Sequence, residues 1–148
     1  MQAQYLTMEQ PAKCPFCKPF ADDIVAKNEL CYARWDRYPV SKGHLLLMPY
    51  RHTTDFFSLT PEEKLAMLDL IEVSKEVIVE NFKPDGYNIG MNIGAAAGQT
   101  ITHCHCHIIP RYVSGTRSGP GVGYGAVYRG RGDTEKCRLK QKAAGEFG

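Results

Sequence analysis

From position 103 to position 108 polar and apolar residues alternate one for one, His-Cys-His-Cys-His-Ile. That period of two predicts a strand, and successive side chains of a strand point to opposite faces. His103, His105 and His107 therefore share one face. Cys104, Cys106 and Ile108 share the other, as small apolar residues bound for a core. Residues 22–28 and 30–35 predict two further strands, joined as a hairpin across the polar turn Lys27-Asn28-Glu29. The segment His44-Leu45-Leu46-Leu47-Met48-Pro49 is apolar after its first residue, the mark of a strand buried on both faces. Thr60-Pro61-Glu62-Glu63 predicts a helix start, with Thr as N-cap, Pro in the first helical position and acids in the first turn. Met67, Leu70, Ile71, Ser74, Val77, Ile78 and Phe82 then make an apolar stripe at helical spacing. This helix covers a sheet and ends near Asn81, before the turn Lys83-Pro84-Asp85-Gly86. Residues 87–93 alternate again, with Asn88, Gly90 and Asn92 on one side, and predict a strand paired antiparallel with the histidine strand.

The two ends of the chain differ from its middle. Residues 1–13 predict an irregular lead-in. Beyond residue 112 glycines recur at 115, 119, 121, 123, 125, 130 and 132, interleaved with Arg117, Tyr124, Tyr128, Arg129 and Arg131. This change of texture divides the chain into one domain, 1–112, and a Gly/Arg/Tyr-rich C-terminal extension, 113–148. A solvated tail is favoured over a phosphate-gripping arm or a nucleic-acid contact. The length of 148 residues suits one domain with a real core. A formal charge of +2 supplies little drive toward nucleic acid or a membrane surface. No apolar run approaches the roughly 20 residues of a membrane span, and the N-terminus lacks a charged-then-apolar signal, so a cytoplasmic protein is expected. Without a secretory signal, the six cysteines read as free thiols plus one metal or redox pair, Cys14 and Cys17.

Three imidazoles on one face have no packing rationale, because each carries two ring nitrogens that need partners. The glycine-rich loop 94–98 runs straight into the histidine strand, and such loops expose N–H groups that hold anions. The other two histidines, His44 and His52, flank the apolar strand. Two chemistries fit the set. One is a metal shared by neighbouring histidines, completed by His44 or a carboxylate. The other is nucleophilic catalysis at phosphorus, in which an imidazole nitrogen attacks while its other nitrogen holds the proton against an acceptor. The anion loop favours the second. Asp36, just past a strand end, reads equally as a ligand-binding carboxylate or an Asp turn. Cys14-Pro15-Phe16-Cys17 reads as two zinc thiolates that lack two ligands, which His52 and one triad histidine can supply. A redox pair would want a βαβ context that is not evident here, and two unliganded thiols are the plain alternative.

The segment His103-Cys104-His105-Cys106-His107-Ile108-Ile109, with Asn92 and Gly98-Gln99-Thr100 upstream, resembles the histidine triad (HIT) hydrolases and transferases. A second block, residues 36–52, carries that family's Gly-His, apolar strand and Pro-x-x-His pattern. The resemblance spans about residues 14–111. It implies an α+β, HIT-like fold, a mostly antiparallel sheet with one long helix and a shorter helix, followed here by the Gly-rich tail. It also implies a homodimer that binds a small-molecule nucleotide by its α-phosphate. His105 matches the family's nucleophile, His107 the donor to the phosphate oxygens, and His44 a supporting histidine. Asp36 matches the ribose-binding acid, and Asn92, Gly98 and Thr100 the phosphate loop, with Gln99 beside them in the same nucleotide-binding set. Some members carry a structural zinc, and by that similarity Cys14, Cys17, His52 and His103 are its ligands. The implied reaction is hydrolysis of a dinucleoside polyphosphate at its α-phosphate through a nucleotidyl-His105 intermediate. The alternatives are a nucleotidyltransferase or phosphorylase, a phosphoramidase, and a nucleotide-binding module without turnover. One departure stands out. Related bacterial members usually follow the Pro-Arg after the triad with an acidic residue and then Arg-Gly-Gly, whereas this chain has Val113-Ser114-Gly115-Thr116-Arg117-Ser118-Gly119.

Overall fold

Five strands build one antiparallel sheet in a computed structural model that describes residues 13–113. They are β1 (Ile24–Lys27), β2 (Cys31–Trp35), β3 (Leu45–Pro49), β4 (Gly86–Gly90) and β5 (Cys106–Arg111). Their spatial order is β1-β2-β3-β5-β4, so the histidine strand β5 enters between β3 and β4. The expected hairpin is β1–β2, closed by Asn28, whose Oδ1 accepts the N–H groups of Leu30 at 3.1 Å and Cys31 at 2.9 Å. The expected antiparallel pair is β4–β5. The lead-in 1–12 and the extension from 114 onward lie outside the described residues, and with them the readings of a tail or a phosphate-gripping arm.

One α-helix, α1 (Pro61–Asn81), covers the sheet. Its start is the one its sequence encodes: the Thr60 hydroxyl accepts the Glu63 N–H at 3.1 Å, and the Glu63 carboxylate accepts the Thr60 N–H at 2.9 Å. Met67, Leu70, Ser74 and Ile78 form its buried stripe. The shorter helical elements among the described residues are three 3-10 turns, Ala21–Asp23, Phe56–Ser58 and Ala95–Ala97. On the helix side of the sheet Cys31, Ala33, Trp35, Leu45, Leu47, Cys106 and Ile108 pack with α1 into the main core. Tyr32, Leu46 and Met48, the alternate residues of β2 and β3, form a smaller apolar cluster with Phe16 on the opposite face. The sheet thus spends one face on the core and keeps the other for chemistry.

Two boundaries differ from expectation by three residues. The strand predicted from residue 103 begins at Cys106, because the Cys104 N–H is drawn out of the sheet to the Thr53 carbonyl at 2.6 Å. The strand predicted over 87–93 ends at Gly90, where the chain turns toward the loop whose Gly94 and Gly98 adopt φ of +86° and +89°. The alternation survives the shortened strand: Cys104, Cys106 and Ile108 lie in the main core as predicted.

Gly43 sits directly before His44 with φ +81°. A Cβ at this position would stand 2.8 Å from Cδ2 of Phe82, the residue that closes α1. Glycine therefore lets the turn before β3 approach the end of the helix. Gly43→Ala is expected to destabilise the fold by about 1–3 kcal/mol, read as a lower denaturant midpoint at unchanged slope; a midpoint equal to wild type would contradict this account.

Candidate active site and metal centre

The triad splits into two jobs. His103 leaves its two neighbours and joins Cys14, Cys17 and His52, whose donor atoms all lie within 4.8 Å of one another and could hold a metal ion. The Nε2 of His103 is 2.8 Å from the Pro49 carbonyl. A carbonyl only accepts, so Nε2 carries the proton and Nδ1 bears the lone pair. That Nδ1 faces Cys14 Sγ at 3.4 Å, Cys17 Sγ at 3.6 Å and His52 Nδ1 at 3.2 Å. His52 reaches the cluster because β3 ends beside α1. Arg51 is clamped to the buried Glu63 carboxylate, with Nη2 2.7 Å from Oε1, and this fixes the backbone that carries His52.

His105 and His107 face the other cluster. Nδ1 of His105 lies 2.7 Å from the His103 carbonyl and must donate to it, which leaves the lone pair on Nε2. His105 is also the most exposed of the five histidines, at 7%. The Phe16 ring stands edge-on to it at 5.2 Å, and the His107 ring at 4.9 Å. A second chain of bonds sets His107. The Val40 N–H donates to Nδ1 of His44 at 3.1 Å, so the proton of His44 sits on Nε2. That nitrogen is 2.9 Å from Nδ1 of His107, which accepts, and the proton of His107 therefore sits on its Nε2. The pair presents one imidazole with a lone pair and one with a proton.

This arrangement needs neutral rings, and burial supplies them. Desolvation takes His44 down to about 3 and lowers His107 in the same direction, with His44 itself adding to the latter shift. His105 is lowered by burial as well, against the pull of the His103 carbonyl and Asp36. Asp36 is raised by burial, opposed by the Tyr38 N–H that its Oδ1 accepts at 2.8 Å. It therefore is an Asp turn, and at the same time it brings Oδ2 to 3.4 Å from Nε2 of His44. Asp36, His44 and His107 also form a donor group of metal-binding size, but the His44–His107 contact is satisfied as a hydrogen bond.

The loop residues do more bracing than the sequence suggested. Gln99 accepts the Gly94 N–H at 2.9 Å and donates to the Thr54 and Ile101 carbonyls at 2.7 and 3.1 Å. Asn92 donates to the Gly98 carbonyl at 3.4 Å. The amides of Ala97, Gly98 and Gln99 bond back within the loop, and Thr100 is exposed. Sequence reasoning missed Phe16, which walls off both His103 and His105, and Arg34, which is 5% exposed beside it. Each had a signal: an aromatic residue between the paired cysteines, and a charged residue inside an otherwise uncharged strand.

A family model described as HIT domain matches residues 19–114. The chain is 36% identical over 127 residues to the Protein hit of Bacillus subtilis (strain 168), an alignment that covers 83% of each. It is 34% identical over 90 residues to a Mycobacterium tuberculosis protein named AP-4-A phosphorylase, covering 60% of this chain and 46% of that relative, so it spans about half the relative's length. Among solved structures it is similar to a HIT family protein from Bacillus anthracis, with a TM-score of 0.65, 30% identity, and coverage of 92% of this chain and 96% of that one.

Proposed function

The chain belongs to the HIT domain family, and from that premise we propose that it cleaves nucleotides at the α-phosphate through a nucleotidyl-histidine on His105. The observation that carries the reading is the pair of opposite tautomers: a lone pair on Nε2 of His105, set by the His103 carbonyl, beside a proton on Nε2 of His107, set by His44. Nε2 of His105 attacks the α-phosphorus, an N–P bond forms, and the bond to the leaving phosphate oxygen breaks. The leaving group of a phosphoanhydride departs as an anion and needs little protonation. Its departure leaves the imidazole of His105 cationic, with Nδ1–H still held on the His103 carbonyl. His107 donates from Nε2 to a non-bridging oxygen as charge shifts onto it. Water then attacks the same phosphorus, the N–P bond breaks onto Nε2, and a nucleoside monophosphate and the neutral imidazole are released while the proton lost by the water passes to solvent.

Dinucleoside polyphosphates are the proposed substrates, in line with the name of the mycobacterial relative. That name also supports the second reading, in which inorganic phosphate replaces water and a nucleoside diphosphate is released. In the nucleotide-bound state Asp36 is assigned to the ribose, and Asn92, Gly98, Gln99 and Thr100 to the phosphates. The working unit is taken as a cytoplasmic homodimer.

The metal we propose for the Cys14, Cys17, His52 and His103 cluster is a structural zinc. A tetrahedral zinc with thiolate and imidazole ligands separates its donor atoms by roughly 3.3–3.8 Å. The observed separations run from 3.2 to 3.6 Å, and two sulfurs with two imidazole nitrogens are a zinc-type donor set. Here the metal would lock the knuckle 14–17 to the segment that bears His103.

Rapid mixing with diadenosine tetraphosphate and mass spectrometry under alkaline quench is expected to show a nucleotidyl adduct on His105. His105→Ala is expected to lose about 10³-fold or more in kcat, and His107→Ala about 10²-fold. Full activity in His105→Ala would refute the reading, and AMP plus ATP without added phosphate distinguishes hydrolysis from phosphorolysis. Elemental analysis should find about one zinc per chain, lost in Cys17→Ser, with the melting temperature lowered by several degrees on chelation; a zinc-free chain with unchanged melting would remove the metal assignment.

A further inference from the structure

Three consecutive residues tie the Cys14, Cys17, His52 and His103 cluster to both halves of the reaction site. His52 gives its ring to the cluster. The Thr53 carbonyl accepts the Cys104 N–H at 2.6 Å, directly after the His103 carbonyl that sets His105. The Thr54 carbonyl accepts from Nε2 of Gln99 at 2.7 Å, and Oε1 of Gln99 accepts the Gly94 N–H at the start of the glycine-rich loop. His103 enters the same cluster from the other side, with Nδ1 facing both sulfurs and Nε2 on the Pro49 carbonyl. Phe16, inside the knuckle, stands edge-on to His103 and His105, and its carbonyl accepts the Tyr32 hydroxyl at 2.6 Å. Releasing the cluster therefore loosens the acceptor of His105, the glycine-rich loop and the aromatic wall together.

The thiol pair is the part of the cluster that chemistry can reach. Five cysteines lie among the described residues, and all five are free. Cys31, Cys104 and Cys106 are at most 2% exposed in the main core, on the sheet face away from the histidines. Cys14 alone among the five is not buried, and its Sγ lies within 4.8 Å of the Cys17 Sγ. Sulfurs that close can bond with a small movement of the turn between them. Thiolates gathered at a metal centre are also the form that oxidants attack. We propose that Cys14 and Cys17 are an oxidative modification site, at which a peroxide closes a disulfide, removes two of the cluster's four donors and so switches the histidine site off.

Hydrogen peroxide and two protons are all that the step needs. Cys14 Sγ, as thiolate, attacks one peroxide oxygen; the O–O bond breaks, the departing hydroxide takes a proton, and Cys14 becomes a sulfenic acid. Cys17 Sγ, as thiolate, attacks that sulfur; the S–S bond forms, the S–O bond breaks, and the second hydroxide takes a proton and leaves as water. Two thiolates, one peroxide and two protons thus give one disulfide and two waters. Both electrons come from sulfur, since zinc has no redox chemistry of its own. A dithiol reductant reverses the step by exchange. The proposal rests on the nucleotide reading of His105 and adds the control of that same residue.

The test treats the full, zinc-loaded chain with hydrogen peroxide and follows three signals that need no turnover: metal released to a chromogenic chelator, the disulfide by mass spectrometry, and the His105 tautomer by nitrogen NMR. About one metal ion is expected to leave for each Cys14–Cys17 disulfide formed. The His105 ring is then expected to exchange its proton between both nitrogens, and dithiothreitol with zinc chloride restores the fixed form. Chelation with both thiols kept reduced is expected to give the same His105 signal. In step with the disulfide, kcat on diadenosine tetraphosphate is expected to fall about 10²-fold. A chain that takes up no zinc, or that keeps its metal and both thiols under peroxide, overturns the proposal. So does a disulfide that leaves the His105 signal fixed. Loss of the near-ultraviolet signal of Trp35, packed on Phe82, would mean that the whole fold opens rather than the site, and overturns it too. A disulfide coupled to metal release and to His105 in a chain that forms no nucleotidyl adduct sustains the modification site while refuting the hydrolase reading; unchanged turnover with the disulfide in place does the reverse.

Discussion

The bond between Nδ1–H of His105 and the His103 carbonyl, 2.7 Å long, is the constraint on which the site depends. An imidazole in water exchanges its proton between two nitrogens, and only the deprotonated one is a nucleophile. A carbonyl that can only accept removes that ambiguity. The carbonyl is in turn held by what surrounds it. The ring of His103 is anchored at one nitrogen by Pro49 and at the other by the Cys14, Cys17 and His52 cluster, while the next amide, Cys104 N–H, is tied to Thr53. One residue thus serves the cysteine–histidine cluster with its side chain and the proposed nucleophile with its backbone. The short spacing of the triad has a physical reason: His105 must follow His103 by two residues for this carbonyl to be within reach.

The second constraint is dryness. His44 and His107 are buried on the sheet face opposite the main core, and desolvation keeps them neutral. Neutral rings can pass a fixed proton orientation along the line Val40, His44, His107, whereas charged rings would repel one another. Gly43 contributes by letting the turn that carries Val40 and His44 close against Phe82. The fold supplies the rest: a sheet with α1 on one face leaves the other for a row of functional side chains.

Much of this was legible in the chain. The alternation from 103 to 108 placed the cysteines in the core and the histidines opposite, the capping box announced α1 at its first residue, and the apolar run after His44 announced the buried strand. The cysteine pair and the two outlying histidines could be grouped as ligands or as relay members because they had no packing role. What could not be read was which backbone atoms the side chains would meet. The Pro49 carbonyl and the Val40 amide are far from the triad in sequence and carry no residue signature, yet they decide both tautomers. The strand ends were misjudged for the same reason, since a long-range bond from Cys104 to Thr53 overrides the local alternation. The bonds of the Gln99 amide to Gly94, Thr54 and Ile101 carried no signature in the sequence either.

Site-resolved nitrogen NMR of histidine-labelled, metal-loaded chain at neutral pH reads the tautomers directly. The geometry predicts His105 with its proton on Nδ1 and His107 with its proton on Nε2, each as a single slowly exchanging form. A His105 protonated on Nε2, or one that averages between the two nitrogens, would contradict the account.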